Sequence, residues 1–443
     1  MMRLMTALAG AAALAIISTN ANAQTKAEAT TAPAVIDAKA TVADVRRILN
    51  ENYVLPELRS QLDAALAKSL ASGRYDVTDP SVLAERINAD MEAVAHDRHL
   101  GMNFNPKQAA DLASRPDAGA DDAPPSAEEI AFADRLNHGI TQLKVLPGNI
   151  RYMELVGFFW GGPKTAEIYD NAMRFMKGGD AVIIDLRKNG GGDPTAVQYL
   201  ISHFLAPNQP TVTFYMRGQK GETWKSLAST PAGRITGKPV YVLTSNGSAS
   251  AAEEFIGHVS GFKVGELVGD TSAGAGYRNT FYPVAGGYVI SVSVGRAVLV
   301  STGKDWEKVG IAPTIKADTD KALEVAQANA LRKLAAKATG REKQMMEGNA
   351  RVIEAKLNPI TPALALPQYA GLYGERRISN DGHALTFQRE GGPKRELVAI
   401  GPNEFVFVED PMQRVLFKTA GNSATELQLI RGDGSTVVAA RNP

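Results

Sequence analysis

Two short loops in this chain have the residue types of a hydrolytic site. AVIIDLRKNGGGDP (Ala181–Pro194) and PVYVLTSNGSASAAEEF (Pro239–Phe255) each run from a β-branched apolar stretch, through small residues, into a helical pattern. A strand that ends in glycines can offer bare backbone N–H groups to an oxyanion, and a serine at a helix start can present a hydroxyl to a carbonyl. Ser250 stands where the second helical pattern begins, so it is the candidate nucleophile, ahead of Ser245 and Ser248 in the same loop. Each loop also has a plainer reading. Ser250-Ala251-Ala252-Glu253 is a Ser-x-x-Glu capping box, and Asn189-Gly190-Gly191-Gly192 could be a left-handed turn that needs glycine. Three consecutive glycines exceed what a turn requires, which favours close approach of the backbone to a substrate. The glycine loop fails as a dinucleotide fingerprint and as a phosphate loop, because it lacks both the G-x-G-x-x-G spacing and the Gly-Lys-Ser/Thr ending.

A serine nucleophile needs a base, and the chain has six histidines. His99, in HDRHLGMNF, stands where a helical pattern turns apolar and extended. His96 reads as a solvated helix residue one turn earlier. His138 fits a linker, His203 a helix, and His383 the terminal β segment. His258 lies more than two turns along the nucleophile's own helix, out of reach. By elimination His99 is the base, with a structural role at a domain junction as the alternative. His96 and His99 have the i, i+3 spacing of metal ligands, but no third ligand accompanies them, and no metal is expected. The orienting acid is the least legible member. Glu307, in WEKVGIAP, precedes a short apolar strand and by itself reads as an exposed loop glutamate.

These residues must be carried by several domains, since 443 residues exceed one ordinary domain. About Lys39 to Leu112, apolar residues recur at three- and four-residue steps, which predicts a helical N-terminal domain (39–112). PDAGADDAPPS (Pro116–Ser126) lies in an expected linker over 113–139. From 140 to 357 strands and helices alternate: ITQLKVL, IRYMELVGF, AVIIDLR, PVYVLTS, KVGELVG and YVISVSVGRAVLV read as strands. Lys164–Met176, Ala196–Phe204 and Ala251–Val259 read as helices, and Asp320–Leu357 as one long charged helix. Apolar strands separated by helices indicate an α/β core. Short, evenly spaced strands from 365 to 443 predict a small antiparallel β domain.

Composition narrows the class further. Hydrophobic content of 44% supports globular cores, and a net charge of +1 gives no electrostatic reason to expect nucleic acid or an anionic membrane as partner. The first 23 residues read as a cleaved secretory signal: Arg3, an apolar Leu4–Ile17, and Ala21-Asn22-Ala23 before Gln24, followed by a small-residue linker over 24–38. The apolar run is short for a membrane span, so no stable insertion is expected after cleavage. The absence of cysteine excludes disulfides, thiolate nucleophiles and zinc–thiolate sites. An exported, periplasmic or secreted protein is expected.

Taken together, the segments resemble the tail-specific (C-terminal-processing) serine peptidases, in the branch of the tricorn core protease and the interphotoreceptor retinoid-binding protein repeats. The matching residues are Asp97-x-His99-Leu100, Asp185-Leu186-Arg187-x-Asn189-x-Gly191-Gly192, Thr244-Ser245 through Ser250-Ala251-Ala252-Glu253-Glu254-Phe255, Val268-Gly269-Asp270-Thr271, and Glu307-x-x-Gly310-Ile311-x-Pro313. They occur in family order from about Val42 to Ile315, and Asn52-Tyr53-Val54 onward resembles the helical domain of the retinoid-binding branch. The resemblance implies a Clp protease/crotonase-like α/β core, Ser250 as nucleophile, His99 as base and Glu307 as its orienting carboxylate. It further implies an oxyanion hole from the N–H groups of Gly191 or Gly192 and of Ala251, no cofactor, and a peptide or protein substrate. Two departures stand out. Where the processing branch has a catalytic lysine, this chain has Ala275, and where the tricorn-like tetrad has a serine before its histidine, this chain has Arg98. The stretch from His99 to Asn189 already holds a linker and strands, leaving no room for a peptide-binding PDZ domain of ~90 residues. The expected function is peptide-bond hydrolysis through an acyl-enzyme. The alternatives are a non-catalytic binder of apolar ligands on the same fold, or an esterase or thioesterase.

Overall fold

The computed structural model describes residues 36–114, 125–217 and 219–443. The expected signal peptide, nearly all of the 24–38 linker and most of Pro116–Ser126 lie outside the described residues.

Three helices open the chain: α1 (Ala38–Asn52), α2 (Pro56–Ala71) and α3 (Pro80–Ala95). Their starts are written in the sequence. Asp37 accepts the Ala40 N–H at 2.9 Å, and Asp79 caps α3 ahead of Pro80 at its first position. A strand, β1 (Gly101–Phe104), and helix α4 (Pro106–Ser114) follow. The expected linker contains a further helix, α5 (Ala127–Arg135), which is a correction to the sequence reading. It is nucleated by a complete capping box between Ser126 and Glu129, a signal that the acidic, Pro-rich stretch before it obscured.

The core is built from β2 (Ile140–Leu146), β3 (Ile150–Leu155), α6 (Pro163–Lys177), β4 (Ala181–Asp185), α7 (Pro194–Ile201), β5 (Pro210–Met216), β6 (Glu222–Lys225), β7 (Val240–Thr244), α8 (Ala251–Gly261), β8 (Glu266–Gly269), β9 (Tyr277–Val284), β10 (Tyr288–Leu299) and β11 (Ile315–Lys316). One sheet has the order β11-β8-β7-β4-β3-β2. It is parallel except for β2, which pairs antiparallel with β3. On one face Val182, Ile184 and Val242 pack on α6, α7 and α8, through residues such as Met173, Leu200 and Phe255. On the other face Ile183, Tyr241 and Leu243 meet Ala326, Ala330 and Leu331. Those alanines lie on α9 (Ala322–Ala335), which is followed by α10 (Gly340–Leu357). The single long helix expected over 320–357 is therefore two. Gly340 takes a left-handed φ of 57° at the break, and an Arg332–Glu354 ion pair ties the two arms together.

The strand YVISVSVGRAVLV does not join the parallel sheet. As β10 it is the centre of a second, antiparallel sheet with β1, β5, β6 and β9. Ile290, Val292 and Val294 of β10 share a core with Val45, Leu49 and Ile87 of the N-terminal helices. A continuously apolar strand is buried on both faces whichever sheet it belongs to, so its run alone cannot assign it. This second sheet fixes the helical layer to the core. In particular, β1 pairs with β10 from Gly101↔Ser291 to Phe104↔Tyr288.

Eight strands complete the chain: β12 (Gly371–Tyr373), β13 (Arg376–Asn380), β14 (Leu385–Arg389), β15 (Arg395–Ala399), β16 (Glu404–Phe407), β17 (Arg414–Ala420), β18 (Ser423–Ile430) and β19 (Thr436–Ala440). Each pairs with the next, and a Tyr373↔Arg441 bridge brings the ends together into a near-barrel. Its interior is filled by Tyr369, Tyr373, Phe387, Phe405, Phe407 and Phe417.

Candidate active site

Ser250 sits between β7 and α8 with φ 54° and ψ −121°, a conformation that L-residues rarely hold. Its hydroxyl makes no side-chain cap hydrogen bond. Instead Oγ lies 2.9 Å from Nε2 of His99, a residue 151 positions away in sequence. Half of the expected capping box remains: Glu253 Oε2 accepts the Ser250 N–H at 3.0 Å. The backbone turn thus holds Ser250 as a helix start would, while leaving its hydroxyl free for the histidine.

The weaker serine candidates are structural. Ser245 Oγ donates to the Arg187 carbonyl at 2.6 Å and Ser248 Oγ to the Leu186 carbonyl at 2.8 Å, so both pin the loop to the end of β4.

His99 is held at both ends of its own backbone. Its N–H donates to Asp97 Oδ1 at 2.9 Å, and its carbonyl accepts Ser291 Oγ from β10 at 2.6 Å. Asp97 is itself buried and accepts the Tyr53 hydroxyl at 3.1 Å, so the end of α1 supports the base from behind. Burial lowers the His99 pKa, opposed by the nearby Asp97 charge. The imidazole is thereby kept neutral near pH 7, the form in which Nε2 can accept the serine proton.

Glu307 is partly buried, and Oε2 accepts the N–H groups of Gly276 at 2.6 Å and Tyr277 at 3.1 Å. Oε1 is buried without a hydrogen-bond partner, and so is Nδ1 of His99. The two side chains form no hydrogen bond in this structure, so the acid is not closed onto the base. Burial pushes the Glu307 carboxyl up to about 7, with the Gly276 N–H opposing and the Asp97 charge adding to the shift.

The glycine loop packs directly on the nucleophile. A Cβ built on Gly191 would lie 2.7 Å from Ser250 Cβ and 3.2 Å from the Ala251 nitrogen. The amides differ in availability. The Gly191 N–H is taken by Asn189 Oδ1 at 2.9 Å, so Gly191 is not a free donor, contrary to one of the expected alternatives. The N–H groups of Gly192 and Ala251 have no acceptor among the described residues. The Phe158 N–H donates to the Gly191 carbonyl at 2.8 Å. Because N–H and C=O point in opposite directions across a trans peptide, the Gly192 N–H faces away from Phe158.

Ala275 occupies the position where a lysine would mark the other mechanism. It is buried in a small cluster with Ala249 and Ala273. Its N–H donates to Glu253 Oε2 at 2.8 Å and its carbonyl accepts Trp306 Nε1 at 2.9 Å. Arg98 is exposed. The remaining histidines lie elsewhere: His203 pairs with Asp170, His258 with Glu254, and His138 with Asp134 and Thr165. No group of side chains suited to a metal ion occurs among the described residues.

Several members of this site were not singled out by sequence. Glu253 is fully buried and accepts four hydrogen bonds, from Ser250 N, Ser272 Oγ, Gly274 N and Ala275 N. Burial raises its pKa and those donors lower it. Since all four partners donate, the carboxylate form is the one that fits. Asn189, Asp97 and Tyr53 were visible only as motif letters.

Residues 149–317 match the profile of peptidase family S41, and residues 31–140 match the N-terminal domain of Peptidase_S41 in eukaryotic IRBP. The chain belongs to peptidase family S41. Among curated proteins it is similar to the carboxy-terminal processing protease CtpB of Bacillus subtilis (strain 168), with 31% identity over 178 residues, covering 40% of this chain and 35% of that protein. It is also similar to the chloroplastic C-terminal processing peptidase of Tetradesmus obliquus, with 26% identity over 141 residues, covering 31% and 29%. The matches thus span about a third of the length of these curated relatives. Similar solved structures include a putative peptidase from Parabacteroides merdae (19% identity, TM-score 0.48, covering 68% of this chain and 99% of that one). Another is the photosystem II D1 C-terminal processing protease (16%, TM-score 0.42, covering 67% and 98%).

Proposed function

We propose that this S41 chain is an exported serine peptidase that cleaves peptide bonds through an acyl-enzyme on Ser250. The observation that carries the reading is the 2.9 Å contact between His99 Nε2 and a serine hydroxyl held at φ 54°. A serine that merely capped α8 would turn its hydroxyl to the helix N–H groups and would need no histidine from another domain.

In this mechanism His99 Nε2 takes the Ser250 proton as Oγ attacks the peptide carbonyl. The developing oxyanion is met by the N–H groups of Gly192 and Ala251, two amides beside Ser250 without acceptors among the described residues. His99 then protonates the leaving amine, and a water activated by the same nitrogen releases the acid. Glu307 Oε1 and His99 Nδ1 are a matched acceptor and donor, both buried and unpaired. Catalytic contacts are often loose before substrate binds, and closure of this pair would fix the tautomer that leaves Nε2 as acceptor. Ala275 leaves the base role to His99. The segment between β1 and β2, Asn105 to Gly139, carries two short helices and no PDZ-sized insertion among its described residues, so substrate reading falls to the residues around Ser250. Export rests on the leader-like first 23 residues.

The test is labelling of the mature protein with a fluorophosphonate probe, with the adduct located by mass spectrometry. An adduct on Ser250 together with cleavage of a peptide library is expected. A folded protein with no adduct would exclude the mechanism. An adduct without peptide cleavage would favour an esterase or thioesterase.

A further inference from the structure

The amide left free in the glycine loop depends on one side chain. Asn189 is fully buried and makes three contacts to three different segments. Its Nδ2 donates to the Leu155 carbonyl at the end of β3 at 3.0 Å. Its Oδ1 accepts the Gly191 N–H at 2.9 Å. Its own carbonyl accepts the Ala249 N–H, next to the nucleophile, at 3.0 Å. Every hydrogen-bonding function used here has a fixed direction, since an amide oxygen can only accept and an amide nitrogen only donate.

We infer that Asn189 is a positioning residue for the oxyanion site. It occupies the Gly191 amide, and so sets the Gly191–Gly192 peptide with its carbonyl on Phe158 N–H and its N–H presented on the opposite side. The same residue holds the Ala249 backbone, and with it the turn that carries Ser250 and the Ala251 amide. Donors from two separate loops are thereby spaced by one side chain and its own carbonyl. This inference rests on the serine-hydrolase reading of the site.

The experiment compares wild type, Asn189→Ala and Asn189→Asp in fluorophosphonate inactivation, separating the reversible affinity from the rate of adduct formation. Loss of one oxyanion donor costs on the order of 10²–10³-fold. Asn189→Ala is expected to slow adduct formation by about 10²-fold with the reversible affinity changed less than about threefold. A wild-type rate, or a loss carried by affinity alone, overturns the inference. Asn189→Asp keeps the acceptor for Gly191 but replaces the donor to Leu155 by an acceptor, unless it is protonated. The neutral acid can supply the one donor and the one acceptor that Asn189 uses here. With each rate normalised to the folded fraction at that pH, which removes the destabilisation a buried carboxylate brings, the ratio of Asn189→Asp to wild-type rate should therefore rise as pH falls from 8 to 5. A ratio independent of pH overturns the inference even if Asn189→Ala does not fold. Absence of a Ser250 adduct in wild type itself would refute the underlying hydrolase reading and this inference with it.

Discussion

Alanine substitution along the glycine loop separates close approach to the nucleophile from the simple need for a turn. At Gly190 a Cβ meets nothing within 4 Å and the backbone is outside the left-handed range, so Gly190→Ala should be nearly neutral. At Gly191 the same methyl would lie 2.7 Å from Ser250 Cβ and 2.9 Å from the Ala249 carbonyl, at φ 110°. Carbon atoms in contact sit about 3.5–4.0 Å apart, so Ser250 or the loop must move by roughly 1 Å. A displacement of that size can cost a reaction ~10²-fold. The positive φ adds backbone strain on the order of 1–3 kcal/mol. Gly192→Ala should be worse for folding than for placement, because its methyl would lie 2.2 Å from the Phe158 carbonyl oxygen, a backbone atom that cannot swing aside. The assay is the rate of fluorophosphonate labelling of each variant, normalised to the folded fraction from thermal unfolding. The expected order is wild type equal to Gly190→Ala, with Gly191→Ala at least about 10²-fold slower although folded. Wild-type labelling in Gly191→Ala, or equal damage at Gly190 and Gly191, would refute the reasoning.

Four further outcomes follow from the same geometry. Burial holds the Glu307 carboxyl near 7, and its ionised form is the one that can accept the His99 Nδ1 proton. The kcat/KM profile should therefore rise through pH 7, and Glu307→Gln should remove that limb and lower the plateau by about 10²–10⁴-fold. A raised carboxyl favours the protonated folded state. The resulting penalty is absent below the ordinary value of 4.5 and complete above about 7, so Glu307→Gln should raise the unfolding temperature at pH 8 and not at pH 4. Ser250→Gly should abolish labelling yet stabilise the protein by about 1 kcal/mol, read as a higher denaturant midpoint, because φ 54° costs glycine little. Glu253→Ala would strand four donors around the nucleophile loop; at about 1–3 kcal/mol per buried unsatisfied group, a loss of several kcal/mol in denaturant unfolding is expected.

Ser250 and His99 were legible because their residue types are informative where they stand: a serine at a strand-to-helix turn, and one of few histidines at the end of a helical pattern. Glu307 was nominated by resemblance alone, since a glutamate before a short strand carries no spacing signal. Glu253 was read only in part, as the capping-box acceptor of the Ser250 N–H, for a physical reason. A capping box and a loop clamp share the same Ser-x-x-Glu letters, and only the fold brings Ser272, Gly274 and Ala275 within reach of the carboxylate. The choice between Gly191 and Gly192 depends on where the Asn189 side chain goes, which sequence does not record. The three-part architecture followed from changes in period along the chain. The second sheet did not, because β10 pairs with strands from far apart in sequence, and nothing in its apolar run names those partners.

The separation of His99 and Ser250 has a bearing on folding. His99 stands in the first quarter of the chain, Ser250 follows 151 positions later, and Glu307 comes after β10, the strand that joins the helical layer to the core. An unfolded chain carries these residues far apart and never as a set. His99 and Ser250 are brought together in a structure where the late strand β10 holds the early strand β1 alongside it.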